Sequence, residues 1–445
     1  MSRKYFGTDG IRGRVGNYPM TVEFTLRLAS AAARVLAPKD GTVLVGKDTR
    51  LSGYMFEAAL EAGFVASGVN VILMGPLPTP AVAYLTKLFE CDFGVVISAS
   101  HNLYEDNGIK FFGPDGGKLT DDIEALIEAE LDVTPVTRSS GELGRATRMD
   151  KLRVKYQEFC ASTVPGLDLS DMKIVIDCAN GAGYKVGPRI LTDLGAEIVP
   201  IGCSPNGRNI NLNCGSTSPE LLQLTVPGVR AQVGIALDGD GDRLVMVDHL
   251  GRIVDGDQLL YIIARARNEQ KTLAGPVVGT VMSNLGLEHA LGKLGIPFRR
   301  AKVGDRYVME MLKDQGGILG GETSGHLLCL DRTTTGDALI SALQVLAIMK
   351  QTGCSLAELA APMPKYPQVL ENVRMPRKID IAASPGVQEA VSHAERRLGD
   401  KGRIVLRASG TEPVIRVMVE GSDEKLVREL ARSLAASVAA AAEVA

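Results

Sequence analysis

The sequence predicts an α/β protein: three similar βαβ-type domains with mixed, mostly parallel sheets around a central cleft, plus a smaller C-terminal α+β domain. Three observations carry this. One pattern recurs three times: an apolar β-branched run, a glycine-bearing turn, an amphipathic helical stretch, then a second apolar run after a glycine. The chain, at 445 residues, exceeds what one hydrophobic core organises and implies about three to four domains. The tail breaks the pattern, which sets it apart as a different kind of unit.

The first copy runs from Thr42-Val43-Leu44-Val45-Gly46 through a helix over Tyr54 to Ala66 to the strand Val69 to Met74. The second starts at Lys173 to Asp177, passes Gly181-Ala182-Gly183 and a helix ending at Leu194-Gly195, and closes with Glu197 to Pro200. The third uses Pro276 to Thr280, a helix ending near Leu294-Gly295, and the run Phe298 to Val303. Right-handed crossovers then follow, with ligands expected at the carboxyl ends of the strands. After Glu371-Asn372-Val373-Arg374 the tail reads as a helix to Leu398, a strand Arg403 to Leu406, a strand Val414 to Val419 and a last helix. Domain boundaries are set at 1–150, 151–255, 256–368 and 369–445, with a hinge near Pro367 to Glu371.

Composition narrows the class. With 45% hydrophobic and only 4% aromatic residues the chain is neither disordered nor fibrous. A net charge of −3 removes the global electrostatic reason to expect nucleic acid or an anionic membrane as partner, so any phosphate site must be a local gathering of cations. The seven cysteines are scattered without a C-x-x-C pair, which fits reduced thiols in the cytoplasm. The start, Met1 to Thr8, lacks the apolar core of a signal peptide, and no apolar run is long enough to span a bilayer.

Four segments carry chemistry. The strand Gly94-Val95-Val96-Ile97 runs into Ser98-Ala99-Ser100-His101-Asn102, two hydroxyls and an imidazole at a strand end, where a nucleophile or an ordinary turn would both fit. The strand Val233 to Leu237 ends in Asp238-Gly239-Asp240-Gly241-Asp242-Arg243, whose alternating carboxylates can converge on one hard cation. Arg243 and His249 stand where an EF-hand loop needs glycine and glutamate, which argues against calcium sensing. An aspartyl phosphatase also uses D-x-D after a strand, but Asp242 stands where that class carries threonine or valine. Three bare aspartates would repel one another, and a divalent ion relieves that; Mg²⁺, which completes its shell with water and phosphate oxygen, suits them.

The third segment, Gly320-Gly321-Glu322-Thr323-Ser324-Gly325-His326, sets acceptors and donors among glycines at a spacing that suits sugar hydroxyls, or a turn with an N-cap serine. The fourth, Arg407-Ala408-Ser409-Gly410-Thr411-Glu412-Pro413 with Arg416, holds the inventory of a phosphate cradle, with a surface turn bearing solvated arginines as the competing view.

In this order the four segments resemble the α-D-phosphohexomutase family from end to end, and the opening Lys4 to Gly13 is most similar to its amino-sugar branch. The resemblance implies that Ser100 is the phosphorylated serine, that Asp238, Asp240 and Asp242 with the Ser100 phosphoryl group bind one Mg²⁺ per subunit, and that Glu322 and Ser324 read sugar hydroxyls. Arg407, Ser409, Gly410, Thr411 and Arg416 fall on the loop for the phosphate not being transferred, while Arg12, Lys110, Arg243, Lys302 and His326 match or neighbour cationic positions. His101 or Lys110 could serve as base. Leu103 departs from the family, which has proline after His-Asn, and a slightly looser serine loop is expected. The implied reaction interconverts glucosamine 6-phosphate and glucosamine 1-phosphate through a 1,6-bisphosphate, with that bisphosphate or self-phosphorylation activating Ser100, and feeds UDP-N-acetylglucosamine and cell-wall synthesis. A mannose or glucose phosphate mutase, a magnesium-dependent sugar phosphatase and a noncatalytic sugar-phosphate sensor stay as rivals. No feature of the sequence fixes the oligomeric state, a homodimer included.

Overall fold

The computed structural model describes residues 4–375, 384–408 and 414–444. Its strands form four sheets. The first contains β1 (Ile11–Arg14), β2 (Thr42–Lys47), β3 (Asn70–Pro76), β4 (Phe93–Ile97), β5 (Asp106–Phe112) and β6 (Ala146–Arg148), in the order β1-β5-β4-β2-β3-β6. The second holds β7 (Lys173–Asp177), β8 (Glu197–Ile201), β9 (Val233–Leu237), β10 (Leu244–Asp248) and β11 (Ile253–Val254), ordered β11-β10-β9-β7-β8. The third holds β12 (Val277–Thr280), β13 (Phe298–Ala301), β14 (Leu319–Gly321) and β15 (Leu327–Cys329), ordered β13-β12-β14-β15. The fourth, β16 (Gln368–Arg374), β17 (Gly402–Ala408) and β18 (Val414–Gly421), is antiparallel, ordered β16-β18-β17 and backed by helices Pro385–Leu398 and Glu424–Val444.

The expected βαβ repeats are β2-β3, β7-β8 and β12-β13, each a parallel pair. The antiparallel part of each sheet is equally regular. β4 turns back into β5, β9 into β10 and β14 into β15, so each chemistry-bearing segment of the first three domains is the connection of an antiparallel hairpin. Runs such as Leu244 to Asp248, buried throughout, carry no alternation from which strand direction could be read.

Alternation in the first sheet divides the interior. Val43, Val45, Val95 and Ile97 face a core with helices Val22–Leu36 and Leu51–Ala66, whereas Leu44 and Val96 face the opposite way. That second face joins a continuous core containing Ile174, Ile235 and Leu237 of the second sheet and Val277 and Leu319 of the third, with helices Gly256–Glu269 and Ala338–Thr352 between them. The fourth sheet has its own core, including Val387, Val417, Val419, Leu430 and Leu434. It docks on the third domain through Glu420, fully buried, which accepts from Leu285 N at 2.8 Å and pairs with Arg403 Nε at 2.8 Å. Gln368 to Glu371 lie inside β16, so of the expected hinge only Pro367 precedes the sheet. Among the described residues no helix is long and apolar enough to cross a membrane.

Helix Ala338–Thr352 is buried along most of its length and is capped by Asp337, which accepts from Ile340 N at 2.9 Å and from Tyr156 OH at 2.8 Å. Burial pushes the Asp337 carboxyl up from 3.8 to about 6, against the pull of those donors. A carboxyl raised in the folded state contributes stability that is complete below its unfolded pKa and is lost as pH rises through the folded value. Asp337→Asn keeps an acceptor for the cap. We expect the variant to lack the decline of about 2 kcal/mol that the wild type undergoes between about pH 4 and 6, measured by urea unfolding across that range.

Candidate active site

β4 delivers Ser98, Ala99 and Ser100 at its carboxyl end, and Ser100 is buried with φ of +50°, a left-handed conformation that costs a residue with a side chain about 1 kcal/mol or more. Its backbone is held from two sides. Arg50, fully buried at the end of β2, donates Nη2–H to the Ser100 and Asn102 carbonyls at 3.0 and 2.8 Å, and Nη1–H to Asp106 O at 3.1 Å and to Leu103 O. Its Nε pairs with Asp48 Oδ2 at 2.8 Å, which also accepts from Ser98 Oγ at 2.6 Å, and Ser98 Oγ in turn accepts from Ser100 N at 3.0 Å. From the second domain, Asn211 Nδ2 donates to the same Ser100 and Asn102 carbonyls, each at 2.9 Å. Arg50 also binds the carbonyl of Leu103, where the sequence led us to expect a looser loop.

This hold leaves Ser100 Oγ directed at the second hairpin, donating to Asp238 Oδ2 at 2.6 Å, with His101 Nδ1 3.4 Å away. The other Asp238 oxygen accepts from the amides of Gly241, Asp242 and Arg243 at 3.1 to 3.2 Å, which fixes the turn. Gly239 packs so closely that a Cβ there would lie 2.5 Å from Ser100 O. Thr79 braces Asp240, its amide donating to the carbonyl at 2.8 Å and its hydroxyl to Oδ2 at 2.7 Å.

Asp238, Asp240 and Asp242 are buried with one oxygen each within 4.8 Å of the others, and among the described residues they are the sole such cluster. Asp240 Oδ1 and Asp242 Oδ1 have no hydrogen-bond partner. Burial, with Asp242 and Asp240 beside it, pushes Asp238 well above the ordinary carboxyl range. Crowded carboxylate oxygens without hydrogen bonds fit a hard divalent cation.

Cations surround the cluster. Lys110 Nζ, on β5, is 2.7 Å from Asp240 and 2.8 Å from Asp9. Burial disfavours its charge, but Asp240, Asp9 and Asp242 outweigh that and push its pKa up, so it is an ammonium ion and no proton acceptor. His101 is the opposite case: burial, then Arg243 and Arg12, lower it to about 4, so it is neutral at physiological pH. His326 sits between Asp242, at 3.7 Å, and Asp305, at 3.3 Å; burial opposes its protonation, yet these carboxylates raise it to about 9.

Arg12, Arg243, Glu322 and His326 line a cavity of about 390 Å³ together with Tyr5, Asp9 and Asp305. The buried Nε atoms of Arg12 and Arg243 have no hydrogen-bond partner. Glu322 Oε1 accepts from Gly304 N at 3.0 Å, and Ser324 is exposed on the same turn. Arg407 and Arg416 stand opposite each other on β17 and β18; burial and the Arg416 charge lower the Arg407 pKa, whereas Glu322 raises it, across the cleft from the fourth domain. Lys302 is exposed over the Tyr307 ring and is not among the residues lining the cavity. Ser409, Gly410 and Thr411 lie outside the described residues.

Sequence reasoning missed Asp48, Arg50, Asn211, Asp9 and Lys118. Lys118 pairs with Asp9 and Asp305, joining the first domain to the third beside His326. A signal for Asp48 and Arg50 existed, because Lys47-Asp48-Thr49-Arg50 ends β2 at the same sheet edge as Ser100. Nothing local marks Asn211, whose partners are more than a hundred residues away. Arg50→Lys retains a charge beside Asp48 but loses the planar fork that reaches several carbonyls. We expect it to lower the urea-unfolding free energy by about 3 kcal/mol, against about 1 kcal/mol for Asn211→Ala; equal effects would contradict the dominance of Arg50.

Comparison with known proteins identifies the family. Family models of phosphoglucomutase/phosphomannomutase match along the whole chain: α/β/α domain I at residues 3–135, domain II at 155–251, domain III at 255–366 and the C-terminal domain at 370–437. A phosphoglucosamine mutase of Methylococcus capsulatus is 57% identical over 444 residues, covering 99% of both chains. One of Aeromonas hydrophila is 56% identical over 444 residues, covering 99% of this chain and all of its own. Among solved structures, a phosphoglucomutase/phosphomannomutase family protein of Burkholderia thailandensis superposes with a TM-score of 0.81 at 24% identity, covering 98% of this chain and 97% of that one. An N-acetylphosphoglucosamine mutase of Aspergillus fumigatus, in complex with GlcNAc-6P and magnesium, gives 0.70 at 20% identity, covering 99% and 96%. With four consecutive family domains arranged around one serine and three aspartates, and relatives matched over nearly every residue, the chain belongs to the phosphoglucomutase/phosphomannomutase family.

Proposed function

We propose that the chain interconverts glucosamine 6-phosphate and glucosamine 1-phosphate, with Ser100 carrying the phosphoryl group between them. The observation that carries this reading is the buried Ser100 Oγ at 2.6 Å from Asp238, where hairpins of two domains meet, with Asp242 and Arg243 of the same aspartate turn lining a cavity shared with Arg12, Glu322 and His326. The amino sugar is chosen because relatives of 56–57% identity over the full length bear that activity in their names.

Asp238, Asp240 and Asp242, with an oxygen from the Ser100 side chain, would hold one magnesium ion, which when bound supplies charge neutralisation to the phosphoryl oxygens. The chain's own residues do the rest. A sugar hydroxyl attacks phosphorus, the bond to Ser100 Oγ breaks, and a sugar 1,6-bisphosphate forms while the proton lost by the hydroxyl is balanced by one gained on Ser100 Oγ. After the sugar turns over, Ser100 Oγ attacks the other phosphorus and the monophosphate isomer leaves. His101 Nδ1, 3.4 Å from Ser100 Oγ, is placed to take the serine proton in that return step, and Lys110 acts as a fixed cation. Arg12 and Arg243 line the cavity, and their guanidinium groups suit phosphate oxygens. Glu322 and Ser324 grip hydroxyls that occupy similar places in both orientations, the 3- and 4-hydroxyls, while Arg407 and Arg416, with the loop that joins their strands, receive the phosphate at rest. The first phosphate on Ser100 comes from a bisphosphate or from self-phosphorylation. A cytoplasmic location, and a supply of glucosamine 1-phosphate to UDP-N-acetylglucosamine and the cell wall, belong to the same reading.

Purified protein with Mg²⁺ and a trace of bisphosphate, given glucosamine, mannose or glucose 6-phosphate and followed by phosphorus NMR, should convert the glucosamine ester preferentially. Equal conversion of the others would reassign the sugar, and release of free phosphate alone would replace the mutase with a phosphatase. Ser100→Ala should reduce turnover by roughly 10⁴-fold or more, whereas Ser98→Ala should still take up label. Excess EDTA should abolish turnover; an unchanged rate removes the metal from the mechanism.

A further inference from the structure

Three thiols, Cys178, Cys203 and Cys214, lie at the carboxyl edge of the second sheet and take no part in the proposed reaction. Cys178 follows directly on β7 and Cys203 lies just past β8, its parallel neighbour, where Asp177 pairs opposite Ile201. Both are drawn to one acceptor: the Ile201 carbonyl receives Cys178 N–H at 3.2 Å and Cys203 Sγ–H at 3.2 Å. Cys178 is buried and Cys203 partly exposed. The neighbouring Cys203 thiol, with burial adding to it, pushes Cys178 well above the ordinary thiol range, while Cys178 holds Cys203 below it. Cys178 is one step past the Asp177–Ile201 pair and Cys203 two steps past it; a spacing of about 4.8 Å between strands and about 3.3 Å along them puts such a diagonal pair about 6 Å apart, inside the Cα window of roughly 4.4–6.8 Å that a disulfide spans.

We propose that Cys178 and Cys203 form a peroxide-sensitive dithiol that closes into a disulfide and is reopened by thiol reductants. The exposed partner reacts first. Cys203 sulfur attacks an oxygen of the hydroperoxide, the O–O bond breaks, and a sulfenic acid forms with release of water, or of an alcohol from an organic hydroperoxide. Cys178 sulfur then attacks Cys203 sulfur, the S–O bond breaks, and hydroxide leaves as water with the Cys178 proton. Two thiols lose two electrons to one peroxide.

The link would form at the root of the turn that seats the serine loop. Ala179 and Asn180, next in the chain, adopt φ of 53° and 48°. Ala179 O accepts from Asn211 N at 2.9 Å, Asn180 O from Thr49 Oγ1 at 2.5 Å, and Ala182 N donates to Gly239 O at 2.8 Å. Closing the disulfide therefore acts on Asn211, which holds the Ser100 carbonyl, and on the aspartate turn. The link stands independently of the proposed reaction; its effect on turnover rests on that reading.

Full-length protein treated with hydrogen peroxide, alkylated and digested should yield one Cys178–Cys203 peptide, losing two of its seven free thiols and regaining both with dithiothreitol. C203S should give no linked peptide, and C178S should leave a sulfenic acid on Cys203 that dimedone traps. Oxidised wild type should lose turnover by about tenfold or more and recover on reduction, while C203S is unaffected by peroxide. Survival of all thiols, a Cys203–Cys214 link, or sulfinic acid on Cys203 beside a free Cys178 overturns the dithiol. A link that leaves turnover unchanged overturns its coupling to the serine loop. Peptide mapping needs no substrate, so failure of the sugar assay in reduced protein refutes the proposed function and not the dithiol.

Discussion

A buried guanidinium is costly unless its N–H groups find acceptors, and Arg50 meets that condition with Asp48 and the carbonyls of Ser100, Asn102, Leu103 and Asp106. Those carbonyls belong to a turn that would otherwise expose backbone oxygens to the interior. Satisfying arginine and turn together lets Ser100 keep its left-handed backbone and point its hydroxyl across a domain boundary. The aspartate turn, the bracing by Asn211 and the position of His101 all take their reference from that loop.

The remaining constraint is charge. Asp9, Asp238, Asp240, Asp242 and Asp305 face Arg12, Lys110, Lys118, Arg243 and His326 in a largely buried space. Each lysine bridges carboxylates from separate segments: Lys110 joins Asp9 to the aspartate turn, and Lys118 joins Asp9 to Asp305. The three domains are therefore tied by ion pairs at the cleft as well as by a common apolar core behind it. Asp240 Oδ1 is left without a hydrogen bond, and Asp242 Oδ1 meets only His326 Nδ1, at 3.7 Å.

Much of this was legible in the sequence, for identifiable reasons. The βαβ repeats announced themselves by runs such as Lys173 to Asp177 and by the glycines that follow them, and Asp238 to Arg243 was conspicuous because its ligands are neighbours in the chain. The direction of β5, β10 and β15 was hidden, because strands covered on both faces lose the period of two. Asn211 and Lys118 were hidden for a different reason: their meaning lies in partners contributed by other domains. Arg50 was visible as a charge at a strand end but not as a buried one. The loop bearing Ser409 to Thr411 rests on the sequence alone.

The three hairpins bear on how such a site arises. Each of the first three domains has the same chassis, and the tip of one hairpin in each is equipped differently, with a hydroxyl in the first, three carboxylates in the second and a glutamate, a serine and a histidine in the third. Duplication of one unit supplies copies whose tips face a shared space, and each tip is then free to change without disturbing the sheet beneath it. Division of labour among repeats thus accounts for a catalytic centre in which no single domain holds a complete set of groups.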